Sequence, residues 1–263
     1  MTALVTGASG GIGYELAVCL ARGHYDLVLA ARSREKLEAI AADLRGRFQV
    51  SVHVIAIDLS VKGSSRQLYE WVGQRGLLID VLVNNAGFGD WGPFVDADPC
   101  RQEAMVELNI TALTLLTRMF LPGMVQRRSG RILNVASTAA FQAGPLMSVY
   151  FATKAFVLSF SRALASELKG SGVTVTCLCP GPTASGFQQA AFTSDILLND
   201  RRMPSSREVA EYGYKALRSG QFLAVHGFGN RVMVACVRFL PQAFVLAVVS
   251  YVQSKKQVAK REG

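Results

Sequence analysis

Three residues in the middle of the chain have the types and the spacing of an acid–base site. Ser137 is followed thirteen residues later by Tyr150, and Lys154 comes four residues after the tyrosine. If Tyr150 lies in the first turn of a helix, it shares one face with Lys154, since side chains four residues apart are neighbours. A phenol with an ordinary pKa of about 10 transfers protons poorly at neutral pH, and a nearby ammonium lowers that pKa by stabilising the phenolate. The spacing therefore predicts that Tyr150 is a general acid–base group whose pKa is lowered by Lys154.

A glycine-rich turn near the start of the chain has the setting of a phosphate-binding loop. Residues 3–6 have the pattern of a buried strand, the glycine-rich run follows at once, and residues 12–21 have the pattern of an amphipathic helix. Glycines let the backbone approach a pyrophosphate, whose charge lies at the helix N-terminus. The spacing Gly-x-x-x-Gly-x-Gly differs from the common dinucleotide pattern, and any tight strand–helix turn uses glycine. Its position still favours a cofactor site, with predicted contacts at Gly7, Ser9, Gly11, Ile12 and Gly13.

The end of the second predicted strand, residues 26–31, indicates which cofactor binds. Dinucleotide folds that take NAD place an acidic residue at this point, whereas this chain has Ala31 followed by Arg32. A carboxylate would repel a 2′-phosphate, and an arginine can bind that phosphate with two parallel hydrogen bonds. The pair predicts NADP(H), although a surface arginine at the start of a helix would look the same.

Short polar or glycine-containing motifs follow four further predicted strands, which are residues 50–57, 79–83, 130–136 and 173–179. The carboxyl ends of parallel strands lie at one edge of a sheet, where ligands of such folds bind. Asp58 either accepts from an adenine amino group or caps the next helix. Asn109 lies inside an apolar helical pattern, so its carboxamide needs a buried partner. The motif residues are Asp58, Leu59, Asn84, Asn85, Ala86, Gly87, Ser137, Pro180, Gly181 and Thr183.

Strands and helices alternate along the chain up to a seventh predicted strand, residues 222–226. Such alternation is typical of an α/β fold with a doubly wound parallel sheet. A chain of 263 residues has the length of one large domain of this kind. We therefore predict a catalytic domain over residues 1–230 and a C-terminal helical extension over residues 231–263.

Taken in order, these motifs resemble the short-chain dehydrogenase/reductase family over about residues 1–230. The resemblance implies a Rossmann fold whose seven strands have the order 3-2-1-4-5-6-7. It implies that Tyr150 is the acid–base residue, that Ser137 orients the carbonyl or alcohol, and that Lys154 also holds the nicotinamide ribose. It further implies that Asn109 keeps a water in a proton relay and that Thr183 contacts the nicotinamide carboxamide. NADP-using relatives often carry a basic residue in the glycine turn, where this chain has Ser9-Gly10.

The predicted function is that of an NADP(H)-dependent oxidoreductase that interconverts a carbonyl and an alcohol. Apolar side chains in residues 183–202 suggest a small hydrophobic substrate. A binding protein that senses NADPH without turnover is one alternative, and a membrane-peripheral scaffold that acts through its C-terminus is another. Turnover of NADPH would exclude the first, and vesicle sedimentation would separate the second from an enzyme.

Composition narrows the partners and the compartment. The net charge is +9, but the basic residues are scattered and no nucleic-acid-binding motif occurs, so the charge is assigned to solubility and to anionic ligands. No metal site is predicted. The five cysteines are interpreted as buried thiols in a reducing compartment, and the first residues leave no room for a signal peptide. The expected location is cytoplasmic.

An apolar segment near the C-terminus, residues 232–252, requires its own explanation. Arg238, Pro241 and Gln242 interrupt it, and a central arginine costs about 2.5–3.5 kcal/mol on membrane insertion, so a spanning helix is rejected. Residues 243–252 are too apolar to lie exposed and must be covered by the substrate cleft, a second subunit or a lipid surface. Burial by protein is favoured, which predicts a homodimer or homotetramer, and contact with a membrane surface stays open.

Overall fold

The computed structural model describes residues 1–184 and 203–261, with side chains described up to residue 254. The described strands are β1 (Thr2–Thr6), β2 (Asp26–Ala31), β3 (Val52–Ala56), β4 (Ile79–Asn84), β5 (Gly130–Val135), β6 (Val173–Cys179) and β7 (Leu223–Val225). All neighbouring pairs are parallel, in the order β3-β2-β1-β4-β5-β6-β7. The predicted doubly wound α/β fold and its strand order are confirmed.

Helices cover both faces of the sheet. They are α1 (Gly11–Arg22), α2 (Arg34–Phe48), α3 (Ser64–Gln74), α4 (Pro99–Val106), α5 (Leu113–Gln126), α6 (Ser148–Glu167), α7 (Ser206–Ser219), α8 (Phe228–Val237) and α9 (Gln242–Arg261). The apolar strands are buried on both faces, because two separate hydrophobic clusters take alternate residues of the same strand. In β1, Leu4 belongs to one cluster and Val5 to the other. This burial is why the strands have continuous apolar runs.

One continuous helix runs from Pro99 to Gln126, with a π-helical turn at Glu107–Ala112 between α4 and α5. By length and composition it is the one described helix that could cross a membrane. It is also a core element, because Leu116, Phe120 and Met124 are buried in the cluster on one face of the sheet. The π-turn carries Asn109, and such turns often occur at functional sites.

The structure adds detail to the predicted C-terminal extension and corrects the interpretation of the cysteines. The apolar segment of residues 232–252 is two helices, α8 and α9, since Pro241 has no N–H and begins a new helix by accepting from Val245 N at 3.1 Å. The prediction of buried thiols is wrong for two of the five cysteines. Cys100 and Cys236 are exposed, Cys236 because it lines an open cavity, while the other three are buried. Residues 185–202, on which the prediction of a hydrophobic loop rests, lie outside the described residues.

Candidate active site

The glycine turn between β1 and α1 is held by contacts that leave no room for a side chain at Gly7 or Gly13. Gly7 has φ +66°, and a Cβ at Gly13 would collide with the Gly7 carbonyl oxygen and the Asn85 amide. The Asn85 Nδ2 donates to Thr6 O at 2.9 Å, so the end of β4 holds the end of β1. The Thr6 hydroxyl accepts from two backbone N–H groups of the Asn85 motif, each at 3.0 Å. The turn is therefore preorganised by neighbouring strands, as a phosphate cradle requires.

Ser137, Tyr150 and Lys154 lie together beyond the end of β5. The Ser137 hydroxyl accepts from Ala139 N at 3.1 Å and forms a hydrogen bond with the Tyr150 hydroxyl. Tyr150 is the third residue of α6, and the Lys154 Nζ lies one turn later, 5.8 Å from the centre of the phenol ring. The ammonium donates to Val135 O at 2.9 Å, which fixes it between the sheet and α6. The predicted proximity of the three side chains is found in the structure.

Burial controls the protonation of this group. It raises the pKa of Tyr150 to about 12, and the hydrogen bond with Ser137 has a smaller effect in the opposite direction. The same burial lowers the pKa of Lys154 to about 8, because a charged form is costly where water is excluded. The prediction of a lowered pKa for Tyr150 is therefore wrong in this structure. Removal of the phenol from water is the dominant cause, and the ammonium lies 5.8 Å from the centre of the ring.

Asn109 is a buried structural link between the π-turn, the loop after β4 and α6. Its Nδ2 donates to Phe88 O and to Thr153 Oγ1, both at 3.0 Å, and its Oδ1 accepts from Phe88 N at 3.1 Å. A Cβ at Gly87 would lie 2.9 Å from the Asn109 Oδ1 and 3.4 Å from the Lys154 Nζ. Both amide donors are thus engaged with protein groups. A role of the Asn109 side chain in a water relay stays a prediction.

A network of buried carboxamides behind the site was not predicted from the sequence. Asn84 Nδ2 donates to Asn134 Oδ1 at 2.9 Å and to Thr117 Oγ1 at 3.0 Å, and Asn134 Nδ2 donates to Ser161 Oγ at 2.9 Å. It joins β4, β5, α5 and α6, the last of which carries Tyr150 and Lys154. Each partner is far away in the chain, so only the strand pairing could have indicated these contacts.

One cavity of about 1720 Å³ collects most of the predicted site residues. The glycine turn and Arg32 line one part of it, while Ser137, Tyr150 and Lys154 line another. Asp58 and Leu59 do not line it: Asp58 Oδ1 accepts from Ser60 N at 2.9 Å, and Leu59 is buried in the core. The remaining predicted residues on its wall are Ser9, Ile12, Asn85, Ala86, Gly87, Pro180, Gly181 and Thr183.

The loop after β6 is fixed close to the site. Thr138 N donates to Pro180 O at 2.9 Å, and the Thr183 hydroxyl donates to Gly181 O at 2.9 Å. A Cβ at Gly181 would lie 2.5 Å from the Asn230 Nδ2, so glycine is required where α8 approaches this loop. Pro180, Gly181 and Thr183 are thereby held on the wall between the cofactor turn and the C-terminal helices.

Helix α9 forms another wall of the cavity. The apolar segment identified in the sequence ended at residue 252, one residue before the polar Gln253. Val245 and Val249 are buried in a cluster with Met147, Tyr150 and other apolar side chains. Phe244, Val248 and Val252 line the cavity with much of their surface exposed, and Gln253 lies between them and Met147. The segment left open in the sequence therefore covers the active-site side of the domain. The spacing of residues 245, 249 and 253 on one helical face was the available signal for Gln253.

An all-parallel sheet with a glycine turn after its first strand, and a serine, a tyrosine and a lysine at one cavity, is an arrangement of the Rossmann class. A sequence model of the family described as short chain dehydrogenase matches residues 1–195, and the chain belongs to that family. This confirms the predicted family.

Particular relatives refine the comparison. The very-long-chain 3-oxoacyl-CoA reductase of Anas platyrhynchos is 38% identical over 184 residues, which are 68% of this chain and 58% of that protein. The chain thus spans less than three fifths of the length of this curated relative. A short-chain dehydrogenase from Sphingobium yanoikuyae, solved in complex with NADPH, has a TM-score of 0.81 and 32% identity, with 90% of this chain and 93% of that chain covered. A bulky-bulky ketone specific alcohol dehydrogenase from Comamonas testosteroni has a TM-score of 0.77 and 29% identity, with 90% and 91% covered.

Proposed function

We propose that this chain is an NADP(H)-dependent reductase of bulky, apolar carbonyl compounds. The observation that carries the proposal is the single cavity that joins the glycine turn, the Ser137–Tyr150–Lys154 group and an apolar helical wall. A phenol whose pKa is about 12 stays protonated at neutral pH, so it is prepared to donate a proton. A protonated phenol is the form that reduction of a carbonyl requires.

The described residues fit a phosphorylated dinucleotide. The glycine turn keeps a shape that a Cβ at Gly7 or Gly13 would disrupt through collision with the Asn85 amide, and it leads into the N-terminus of α1. Arg32 is exposed on the cavity wall at the end of β2, next to Ala31, so no carboxylate is present there to repel a 2′-phosphate. The NADPH in the related Sphingobium structure supports the same cofactor for this chain. When bound, the nicotinamide supplies the hydride.

The protein residues supply binding and the proton. The Ser137 hydroxyl, already paired with Tyr150, is placed to donate to the substrate carbonyl oxygen. The Tyr150 hydroxyl gives its proton to the same oxygen as charge develops there. Lys154, with a pKa of about 8, is protonated at neutral pH and stabilises the phenolate that remains. The side chains of Thr183 and Asn85 fix the backbone of two loops at the cavity, through hydrogen bonds to Gly181 O and Thr6 O.

The cavity wall supports a bulky apolar substrate rather than the small one expected from the sequence. Phe244, Val248 and Val252 present open apolar surface to a cavity of about 1720 Å³, and Met233 on α8 and Leu240 between α8 and α9 extend that surface. Pockets for drug-sized ligands measure about 300–1,000 Å³, so cofactor and a large substrate fit together. The names of the relatives, one acting on very-long-chain acyl groups and one on bulky ketones, support the same class.

Oxidation of NADPH in the presence of apolar ketones tests the proposal directly. Tyr150→Phe should lower kcat by about 10²–10⁴-fold and leave NADPH binding, measured by fluorescence titration, nearly unchanged. Tyr69→Phe is the matched control, because Tyr69 is an exposed tyrosine on α3 that contacts Phe120. Comparable kcat in Tyr150→Phe and wild type would contradict the mechanism. NADPH binding with no turnover on any ketone would favour the sensor alternative.

Cofactor preference is tested at residues 31 and 32. Ala31→Asp combined with Arg32→Ile should move the preference toward NADH, because the change adds repulsion and removes a partner of the 2′-phosphate. The readout is the ratio of kcat/KM for NADPH and NADH. A ratio that does not change would place the discriminating contact elsewhere.

The C-terminal helices also favour contact with a lipid surface, as a second candidate. Phe228, the first residue of α8, and Phe239, which follows the helix, are 81% and 88% exposed, and the basic Arg238 adjoins Phe239. Basic residues near an anionic membrane contribute about 1 kcal/mol each. Sedimentation with anionic vesicles should pull down the wild type and much less of a Phe228→Ser, Phe239→Ser variant. Wild type that stays in the supernatant would leave the cytoplasmic prediction as the better one, and equal sedimentation of both proteins would show that these two phenylalanines are not the contact.

Self-association is proposed through the outer faces of the long helix and α6. Leu115 and Phe156 are exposed at 42% and 38%, and Phe156 stacks on Phe160 at 5.9 Å. Apolar surface of this kind favours a partner face. Light scattering should give a dimer or tetramer for the wild type and a smaller species for Phe156→Glu.

A further inference from the structure

Gln253 is a buried carboxamide on the wall of the active-site cavity with little to bind. Its side chain is on the buried face of α9, the residue is 6% exposed, and it lines the cavity. Among the described residues, the one partner of the Nε2 group is a thioether, Met147 Sδ at 3.9 Å. The Oε1 atom has no hydrogen-bond partner among the described residues.

Such a group is costly unless a ligand satisfies it. Leaving a buried polar atom unpaired costs about 1–3 kcal/mol. The two other residues on the same face of α9 as Gln253 are apolar, Val245 and Val249. A third apolar side chain there would complete the packing without that cost. Buried amides elsewhere in the domain, such as Asn109 and Asn134, have short hydrogen bonds to protein groups. Asn84 Oδ1 also lacks a partner, but Asn84 Nδ2 donates two hydrogen bonds, so Gln253 differs from these amides in having no hydrogen bond to a nitrogen or oxygen atom of the described residues.

The position of Gln253 relates it to the reacting residues. Met147, which it contacts, belongs to the same cluster as Tyr150, and Val249, one turn before it on α9, belongs to that cluster too. On the adjacent face of α9, Phe244, Val248 and Val252 line the cavity. A substrate whose carbonyl lies at Ser137 and Tyr150 and whose apolar body lies along these side chains passes Gln253.

We propose that Gln253 Oε1 accepts a hydrogen bond from a second polar group of the substrate, a hydroxyl or an amide N–H. The substrate class is then an apolar carbonyl compound with a hydrogen-bond donor set apart from the carbonyl. This inference rests on the proposed reductase function and deepens it. A site built to bind such a donor discriminates against the analogue that lacks it, because the buried acceptor is then left unpaired.

The test uses apolar ketones with a hydroxyl at increasing bond distances from the carbonyl, each paired with its deoxy analogue. For at least one pair, wild type should prefer the hydroxyketone in kcat/KM by about 10- to 100-fold. Gln253→Met keeps the length of the side chain and removes its polar atoms. In this variant the ratio of kcat/KM for the two ketones should fall to about one, while the deoxy ketone is still reduced. Ser254→Ala is the matched control, because its hydroxyl donates to Ser250 O at 2.7 Å on the outer side of α9.

Calorimetric binding of the same pairs, with NADPH present, separates this inference from the proposed function. Turnover with a preference that is equal in wild type and Gln253→Met, or no preference at any position, would overturn the role of Gln253 alone. Binding whose preference depends on Gln253, without turnover, would support the contact and overturn the reductase function. Gln253→Met should also unfold at a higher temperature than wild type, since an unpaired buried amide is removed. A lower unfolding temperature would show that the amide is satisfied within the protein, which also overturns the proposal.

Discussion

Replacing Lys154 with methionine should change how the stability of the protein depends on pH. Burial lowers the pKa of Lys154 from 10.5 to about 8, so the unfolded chain holds this proton over a range of pH in which the folded chain has lost it. Stability then rises with pH between these values, because the unfolded state binds more protons. Each pKa unit corresponds to about 1.4 kcal/mol, so the cost of burying the charged lysine is about 3 kcal/mol at pH near 7. About 2 kcal/mol of that cost should be relieved by pH near 9.5.

The assay is urea unfolding of wild type and Lys154→Met, without cofactor, at several pH values from near 7 to near 9.5. The difference in unfolding free energy isolates this lysine, because all other titrating groups are common to both proteins. Tyr150 does not interfere, since its pKa is raised to about 12 in the folded state and its unfolded-state titration lies near 10. Wild type should gain about 2 kcal/mol relative to the variant as pH rises. A difference that is constant with pH would refute the burial argument, whatever its absolute size.

Three substitutions test the architecture around the site. Asn109→Leu should lower the unfolding free energy by about 2–4 kcal/mol and kcat/KM by at least about 10-fold, because it leaves the buried backbone groups of Phe88 unpaired; urea unfolding with wild-type stability would contradict this. Gly13→Ala should weaken NADPH binding in fluorescence titration, because its Cβ would displace the Asn85 amide; unchanged affinity would show that the turn tolerates the shift. Gly46→Ala should raise the unfolding free energy by about 0.5–1 kcal/mol, because the position is exposed within α2 and a Cβ there meets no atom within 4 Å; its NADPH affinity is the control for Gly13→Ala.

The strands and the residues at their ends could be predicted because the information is local. Apolar runs of five to seven residues indicate strands that are buried on both faces. A glycine turn or a polar residue directly after such a run must lie at the carboxyl edge of the sheet. For this reason Gly13, Asn85 and Ser137 all line the cavity at this edge of the sheet.

The properties that depend on distant residues could not be predicted. The pKa of Tyr150 depends on how completely the phenol is removed from water, and that is decided by Phe151 beside it and by Val245 and Val249 from α9. No pattern within residues 137–154 contains this information. Likewise, Asn84 and Asn134 each look like a polar residue at a strand end, and their pairing is fixed by the register between β4 and β5.

The narrow contact between α9 and the rest of the domain determines how often this helix detaches locally. The helix is buried along one stripe, in which the apolar members Val245 and Val249 each contribute about 1.5–3 kcal/mol of stabilisation. A local opening that costs about 3–6 kcal/mol occurs in roughly one molecule in a hundred to one in ten thousand at any time, far more often than unfolding of the sheet. Amide hydrogens of α9 should therefore exchange with solvent much faster than those of β1 and β5. A substrate too broad for the rim can enter during these openings, while the glycine turn and Tyr150 stay in place on the rigid half of the molecule.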